Sequence, residues 1–367
     1  MEIYYFTILL FSFLSLFEWL NKDKNIEKPL RIIHCLVFVV LVVEIGLRWE
    51  TGTDWSAYLD HFMSFARPKE DGFTFEWGYD NFVRIIYSLT GSYSFFLFCH
   101  AIVFYIFIFK SFKYFTPYFL FAILFMYAGM MGLVGSNRQL LALGLGMISL
   151  KYLVEKKYYH YLGLVLLAVL FHTTAFLYLI FFFLKKKFRI EYILIFIFIC
   201  LIVGSTQIPF QIFSLGGVIN DFAADKTEIY FQEAKNGGVV EVSLIGLIKR
   251  IAFLLLFLRT RNYIEKYNSN YNLLLNGYII GFGFYFLFYL TLPVMISRGS
   301  LYFNSLEPIL LSLQLYLIKD SVKRTYITAI IFIFSIFLLH QSISAYPEIF
   351  DPYKGIFINS DFTRKSL

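Results

Sequence analysis

From Tyr192 to Val203 every side chain is apolar, and comparable runs recur along nearly the whole chain. A strand of a membrane barrel alternates polarity over about 10 residues. Runs apolar on both faces leave only the α-helix, which satisfies its backbone hydrogen bonds internally where there is no water. The composition agrees: 59% of the residues are hydrophobic and 16% charged, against about 45–50% and about 25% in soluble domains. A soluble domain, a disordered chain and a disulfide scaffold are excluded. The expected fold class is an all-α polytopic membrane protein, one integral membrane domain over residues 1–367.

A crossing takes about 17–25 mostly apolar residues. The candidate spans are 3–20, 31–47, 92–110, 115–134, 138–153, 190–208, 243–258, 271–292, 299–318 and 325–342. Segment 158–184 differs from them. Lys156 and Lys157 precede it, Lys185, Lys186, Lys187 and Arg189 follow it, and Phe171-His172-Thr173-Thr174 interrupts its middle. As a single tilted crossing, it would put the later basic clusters on the side opposite the earlier ones. As a re-entrant hairpin of two half-helices, it keeps more than half of the 32 basic residues on the cytoplasmic side, in line with the positive-inside bias. The hairpin is the preferred reading. It gives about ten spans, and it sets His172 at the edge of a cavity, because irregular backbone at membrane depth needs protein or water around it.

Loops 48–90 and 209–242 and tail 343–367 then face outward and carry acids, Trp, Tyr, Gly and amides. Chemistry is expected on that face. The net charge of +7 belongs to the basic cytoplasmic loops rather than to nucleic-acid binding. There is no phosphate-binding glycine loop and no internal repeat, so neither ATP nor any other cofactor is expected. The histidines lack metal-ligand spacing, so no metal site is expected. Cys35, Cys99 and Cys200 lie far apart in apolar runs and read as packing residues. The first residues, MEIYYF, lack a basic region and a small-residue cleavage site, so no cleavable signal peptide is expected.

The richest stretch is Arg48-Trp49-Glu50-Thr51-Gly52-Thr53-Asp54-Trp55, followed by Tyr58. Cation, carboxylate and aromatic faces together suit a carbohydrate: acids bind hydroxyls and rings stack on sugar C–H faces. Interfacial anchoring, or an i,i+4 pair between Glu44 and Arg48, would explain the same residues. In Phe75-Glu76-Trp77-Gly78-Tyr79, Glu76 serves either the site or a cation at Arg67 or Arg84. Asn137-Arg138-Gln139 opens a helix, where backbone N–H groups and the dipole favour an anion. An arginine there can bind a diphosphate bidentately; snorkelling is the plain alternative. His172 can move a proton or simply fix the hairpin tip. Lys249 and Arg250 interrupt an apolar run, at about 2.5–3.5 kcal/mol each, and need an acid, a cavity or an anion, unless the span starts later and the two snorkel outward. Glu307 can pair with one of them or bind a hydroxyl. Arg298 and Tyr302 stand at another outward junction, and Asp351-Pro352-Tyr353 can cap an outward cavity.

Taken in order, these elements resemble the EpsG family, a branch of the Wzy-type polysaccharide polymerases. They are Arg48, Gly52, Thr53, Asp54, Trp55 and Tyr58; Glu76, Gly78 and Tyr79; Asn137, Arg138, Gln139 and Ala142; Phe171, His172 and Ala175; Arg298 and Tyr302; and Pro352 and Tyr353. The resemblance covers roughly residues 1–355. It implies a GT-C-like glycosyltransferase of the bacterial inner membrane, with its active site facing the periplasm. Donor and acceptor would be undecaprenyl-diphosphate-linked oligosaccharide repeat units, and a chain-length regulator is implied by analogy. The product would be O-antigen, capsule or exopolysaccharide.

The residue chemistry is compatible with that reaction. Charge develops on a departing diphosphate, where preorganised cations act; Arg48, Arg138 and Arg298 are candidates. Asp54, Glu76 or His172 would take the acceptor's proton. Trp55, Tyr58, Trp77, Tyr79, Asn137, Gln139, Lys249, Arg250, Tyr302 and Glu307 are candidate contacts to sugar or diphosphate. A flippase of lipid-linked oligosaccharides and an outward-facing ligase are the competing readings.

Overall fold

The computed structural model describes residues 1–22, 27–66, 75–217, 244–292, 295–296 and 298–360, and among these the secondary structure is helical apart from isolated bridges. The chain packs as two compact units, Met1–Phe176 with Leu311–Leu367, and Leu177–Leu310. The helices in chain order begin with α1 (Glu2–Leu20), α2 (Glu27–Gly46), α3 (Trp55–Ser64), α4 (Trp77–Thr90) and α5 (Tyr93–Phe115). Next come α6 (Phe119–Met130), α7 (Asn137–Val154), α8 (Tyr158–Phe171), α9 (Ile190–Gly204) and α10 (Ile208–Gly217). The last are α11 (Leu244–Ile264), α12 (Tyr271–Phe288), α13 (Leu301–Asn304), α14 (Glu307–Leu313) and α15 (Ser321–Ile343).

Helices α1, α2, α5, α12 and α15 are long and apolar enough to cross a membrane, each close to an expected span. Shorter apolar helices accompany them. This is the makeup of a multi-pass membrane protein. Most of the expected loop 209–242 lies outside the described residues; its start is the end of α10.

Two apolar segments are interrupted, the expected hairpin and one expected span. Segment 158–184 stops being α-helical at His172, which is extended (φ −157°, ψ 120°), and resumes as a 3-10 helix over Thr173–Phe183. At about 1.5 and 2.0 Å per residue, each piece reaches roughly 20 Å, short of a bilayer core of about 30 Å. Segment 299–318 is a series of short turns, α13, α14 and a 3-10 turn over Gln314–Leu317. Pro308 lacks the N–H that would carry the first helix onward.

In the first unit α7 is the centre. Most of its side chains are buried, and it packs on α5 and α8. Its glycines allow this: a Cβ at Gly144 would stand only 3.3 Å from the Phe107 Cβ. Helix α1 lies against α6 and α15, and α2 against α5. In the second unit α12 packs on α9, α11 and α13. Its Gly277 faces Phe181 and Leu306, and Gly281 faces Phe303 and Asn304. That glycine face is thus used inside the chain.

Candidate active site

Arg48 follows the end of α2 and is only 2% exposed. Its Nη1 donates to the Ile45 carbonyl at 2.6 Å and its Nη2 to Asn137 Oδ1 at 2.8 Å. It does not pair with Glu44, whose carboxylate accepts from Thr7 Oγ1 at 2.7 Å and from the Tyr127 hydroxyl. His100 holds the Asn137 carbonyl through Nε2 at 2.8 Å. Arg48 therefore braces the first residue of α7, immediately before Arg138.

The segment that leads from Arg48 to α3 is fixed by close backbone approach. Gly52 has φ +104° and Gly135 φ +111°, and a Cβ on either would stand 2.6 Å from the other's Cα. The two motifs, Gly52-Thr53-Asp54-Trp55 and Gly135-Ser136-Asn137-Arg138, are thereby pressed together. At the far end Gly78 does the same for α4. A Cβ there would meet the Leu170 carbonyl oxygen at 2.8 Å, so α4 begins against the end of α8.

These contacts converge on Arg138. Its Nη1 donates to Glu76 Oε2 at 2.5 Å, and its Nε to the Tyr58 hydroxyl at 3.4 Å. The guanidinium carbon lies 4.1 Å from the Phe75 ring centroid and 5.9 Å from that of Tyr58. The other Glu76 oxygen accepts from the Thr173 hydroxyl at 3.2 Å and its backbone N–H at 3.4 Å. His172 Nδ1 and the Thr174 hydroxyl are 2.7 Å apart. Burial alone would raise the Glu76 carboxyl. The positive fields of Arg138 and His172 outweigh it and hold Glu76 below the usual carboxylate range. The Tyr58 hydroxyl is pushed up by burial, against the pull of Arg138, and stays protonated at neutral pH.

The other expected residues divide. Asp54 is half-buried at the start of α3, and its carbonyl takes the Tyr58 N–H at 3.1 Å. Trp55 and Tyr79 are buried. Trp55 stands edge-on to Trp49 and Tyr93, which gives it a packing role. Trp77 is 69% exposed. Gln139 is buried in α7. Lys249, Arg250, Arg298, Tyr302 and Glu307 belong to the second unit. There Lys249 pairs with Glu307 at 3.4 Å, and Tyr302 stands edge-on to Tyr178. No cluster of metal-ligating side chains occurs among the described residues.

Three participants escape a reading of spacing alone: His100, Thr173 and Lys354. The tail runs back over the Arg48 turn. Trp49 N–H donates to the Lys354 carbonyl at 2.8 Å and Ile356 N–H to the Leu47 carbonyl at 3.0 Å, and the Tyr353 hydroxyl donates to the Glu44 carbonyl at 2.7 Å. Buried Lys354 meets Glu50 at 2.6 Å, and Glu50 has φ +45°. Removing one member of a buried pair costs about 3–5 kcal/mol, and the partial exposure of Glu50 lowers that to about 2. Lys354→Met is therefore expected to lower the thermal midpoint of the detergent-solubilised protein, and adding Glu50→Gln to recover more than half of the loss. An unchanged midpoint for Lys354→Met would show that the pair holds nothing in place.

Searches among curated proteins and among solved structures find no match. The model of the EpsG family matches residues 31–354, which takes in every part of the Arg138 cluster. The chain belongs to the EpsG family, whose members are Wzy-type polymerases.

Proposed function

We propose that this chain joins undecaprenyl-diphosphate-linked oligosaccharide repeat units on the outer face of the bacterial inner membrane, making O-antigen, capsule or exopolysaccharide. The observation that carries the reading is Arg138 held against Glu76, between Phe75 and Tyr58 and beside the break at His172. Cation, carboxylate and aromatic walls are what the reaction needs at one place. The C1–O bond of the growing chain's reducing-end sugar breaks, and its electron pair leaves with the diphosphate. Arg138 stabilises that charge. The acceptor hydroxyl bonds to C1 and gives its proton to Glu76, with Asp54 and His172 as the other candidates. A single displacement of this kind inverts C1.

The ion pair also supplies a sequence of events. An arriving diphosphate competes with Glu76 for Arg138, and the released carboxylate becomes available to the acceptor. On this reading the architecture is GT-C-like, with about ten spans and a re-entrant hairpin at 158–184. The break at His172, where neither half alone reaches across, supports the hairpin. The bilayer and a chain-length regulator are the remaining partners.

The test is reconstitution of purified protein with a lipid-linked repeat unit, without nucleotide or other protein. A ladder of products is expected. Glu76→Gln is expected to slow it about 10²-fold or more with substrate binding retained. Folded wild-type protein that binds the unit but makes no ladder would point to a flippase or ligase instead.

A further inference from the structure

The second unit carries a charge imbalance of its own. Helix α11 brings two adjacent cations into partly buried positions at Lys249 and Arg250. Lys249 reaches Glu307 at 3.4 Å. Among the described residues no carboxylate pairs with Arg250: its guanidinium lies 5.0 Å from the centroid of the Tyr285 ring, and its Nη1 is buried without a hydrogen-bond partner. The Tyr285 hydroxyl is buried and lacks a partner too. The Tyr278 hydroxyl bonds the Arg250 carbonyl at 3.4 Å, and so holds the backbone rather than the cation.

Water can satisfy an N–H or an O–H, but it does not neutralise a cation in low-dielectric surroundings. A guanidinium and a phenol, both with unused donors and with a lysine on the neighbouring residue, call for an anion with several acceptor oxygens. The outer side of the same helix exposes Ile245, Ile248, Ile251 and Leu255, which suits an acyl or isoprenyl tail better than a free ion.

We infer that Arg250, Tyr285 and Lys249 bind a phosphate group carried by a polyisoprenyl lipid, at a site separate from the Arg138 cluster. The inference rests on the polymerase reading only for the identity of the lipid; a polymerase handles two lipid-linked chains at once. Glu307 holds Lys249 while the site is empty, and so competes with the phosphate.

The test uses the full-length protein in detergent, native mass spectrometry and undecaprenyl phosphate as the probe. Wild type is expected to retain two copies. Arg250→Gln is expected to lose one, with at least about tenfold weaker binding at that site. Glu307→Gln frees Lys249 and is expected to tighten binding about threefold, a gain that misfolding does not produce. Undecaprenol is expected not to bind. Displacement of one copy by millimolar inorganic phosphate would support the site but assign it to free phosphate. Binding that is unchanged in both Arg250→Gln and Glu307→Gln, or equal binding of undecaprenol, would overturn the inference. If Arg138→Ala keeps both copies while Arg250→Gln loses one, this site stands and the diphosphate role of Arg138 fails. The opposite pattern removes this site alone.

Discussion

Purified Arg138→Ala protein is expected to make no detectable ladder from lipid-linked repeat units, a loss of about 10²–10³-fold or more, while remaining inserted and helical. Among the described residues, the guanidinium is held against a carboxylate at the junction of α3, α4, α7 and the His172 break. Arg138→Lys keeps the charge but not the planar fork, and we expect it to recover only part of the rate. Removing Arg138 also strands Glu76, which is largely buried, so the single variant confounds catalysis with stability. The double variant Arg138→Ala/Glu76→Gln separates them. It is expected to regain thermal stability and stay inactive. A double variant that regains activity would show that Arg138 is only the counter-ion of Glu76.

The same pair fixes a direction with pH. Glu76 has a folded-state value below the ordinary one. Its contribution to stability is therefore complete above the unfolded carboxylate value of about 4.3 and is lost as pH falls through the lower, folded value. Mild acid alone is not expected to break the latch.

Much of this arrangement was legible in the sequence, because it depends on strong local signals. Apolar runs of membrane length gave α1, α2, α5, α12 and α15 to within a few residues. The polar Phe171-His172-Thr173-Thr174 patch marked where a long apolar segment would stop being α-helical. What was not legible was which polar groups meet. Arg48 had an acid four residues back, yet it bonds Asn137, 89 residues away. Glu44 is drawn off by Thr7 and Tyr127, contacts set by the packing of α1 and α6 that no local spacing encodes. Glu76 had Arg84 two turns along, and Arg67, which lies outside the described residues, yet it pairs with Arg138, because Gly78 seats α4 on α8. The span expected at 299–318 overlooked the effect of Pro308, which a breaker rule alone would have caught.

The largest structural effect is expected from the smallest substitution, Gly52→Ala or Gly135→Ala. Each glycine has a positive φ, and a Cβ on either would lie 2.6 Å from the backbone of the other. The conformation costs an L-residue about 1–2 kcal/mol. Overpacking adds about 1–3, and the opposing atom is main chain, which cannot swing aside as a side chain does. The two segments must part by roughly an ångström. Since one carries Asp54 and Tyr58 and the other Arg138, a shift of that size is expected to cost about 10²-fold in rate. Two other glycines isolate the cause. Gly91 also has a positive φ, +62°, but nothing within 4 Å of its Cβ position. Gly163 lies in α8, likewise with open space. Gly163→Ala is expected to be neutral or slightly stabilising. Gly91→Ala is expected to lower the thermal midpoint while full activity remains. If Gly52→Ala and Gly135→Ala behave like Gly91→Ala, backbone strain alone explains them, and the junction does not position the site. If they abolish the ladder in protein that still inserts, the close approach of two glycines sets the distance between the arginine and the residues facing it.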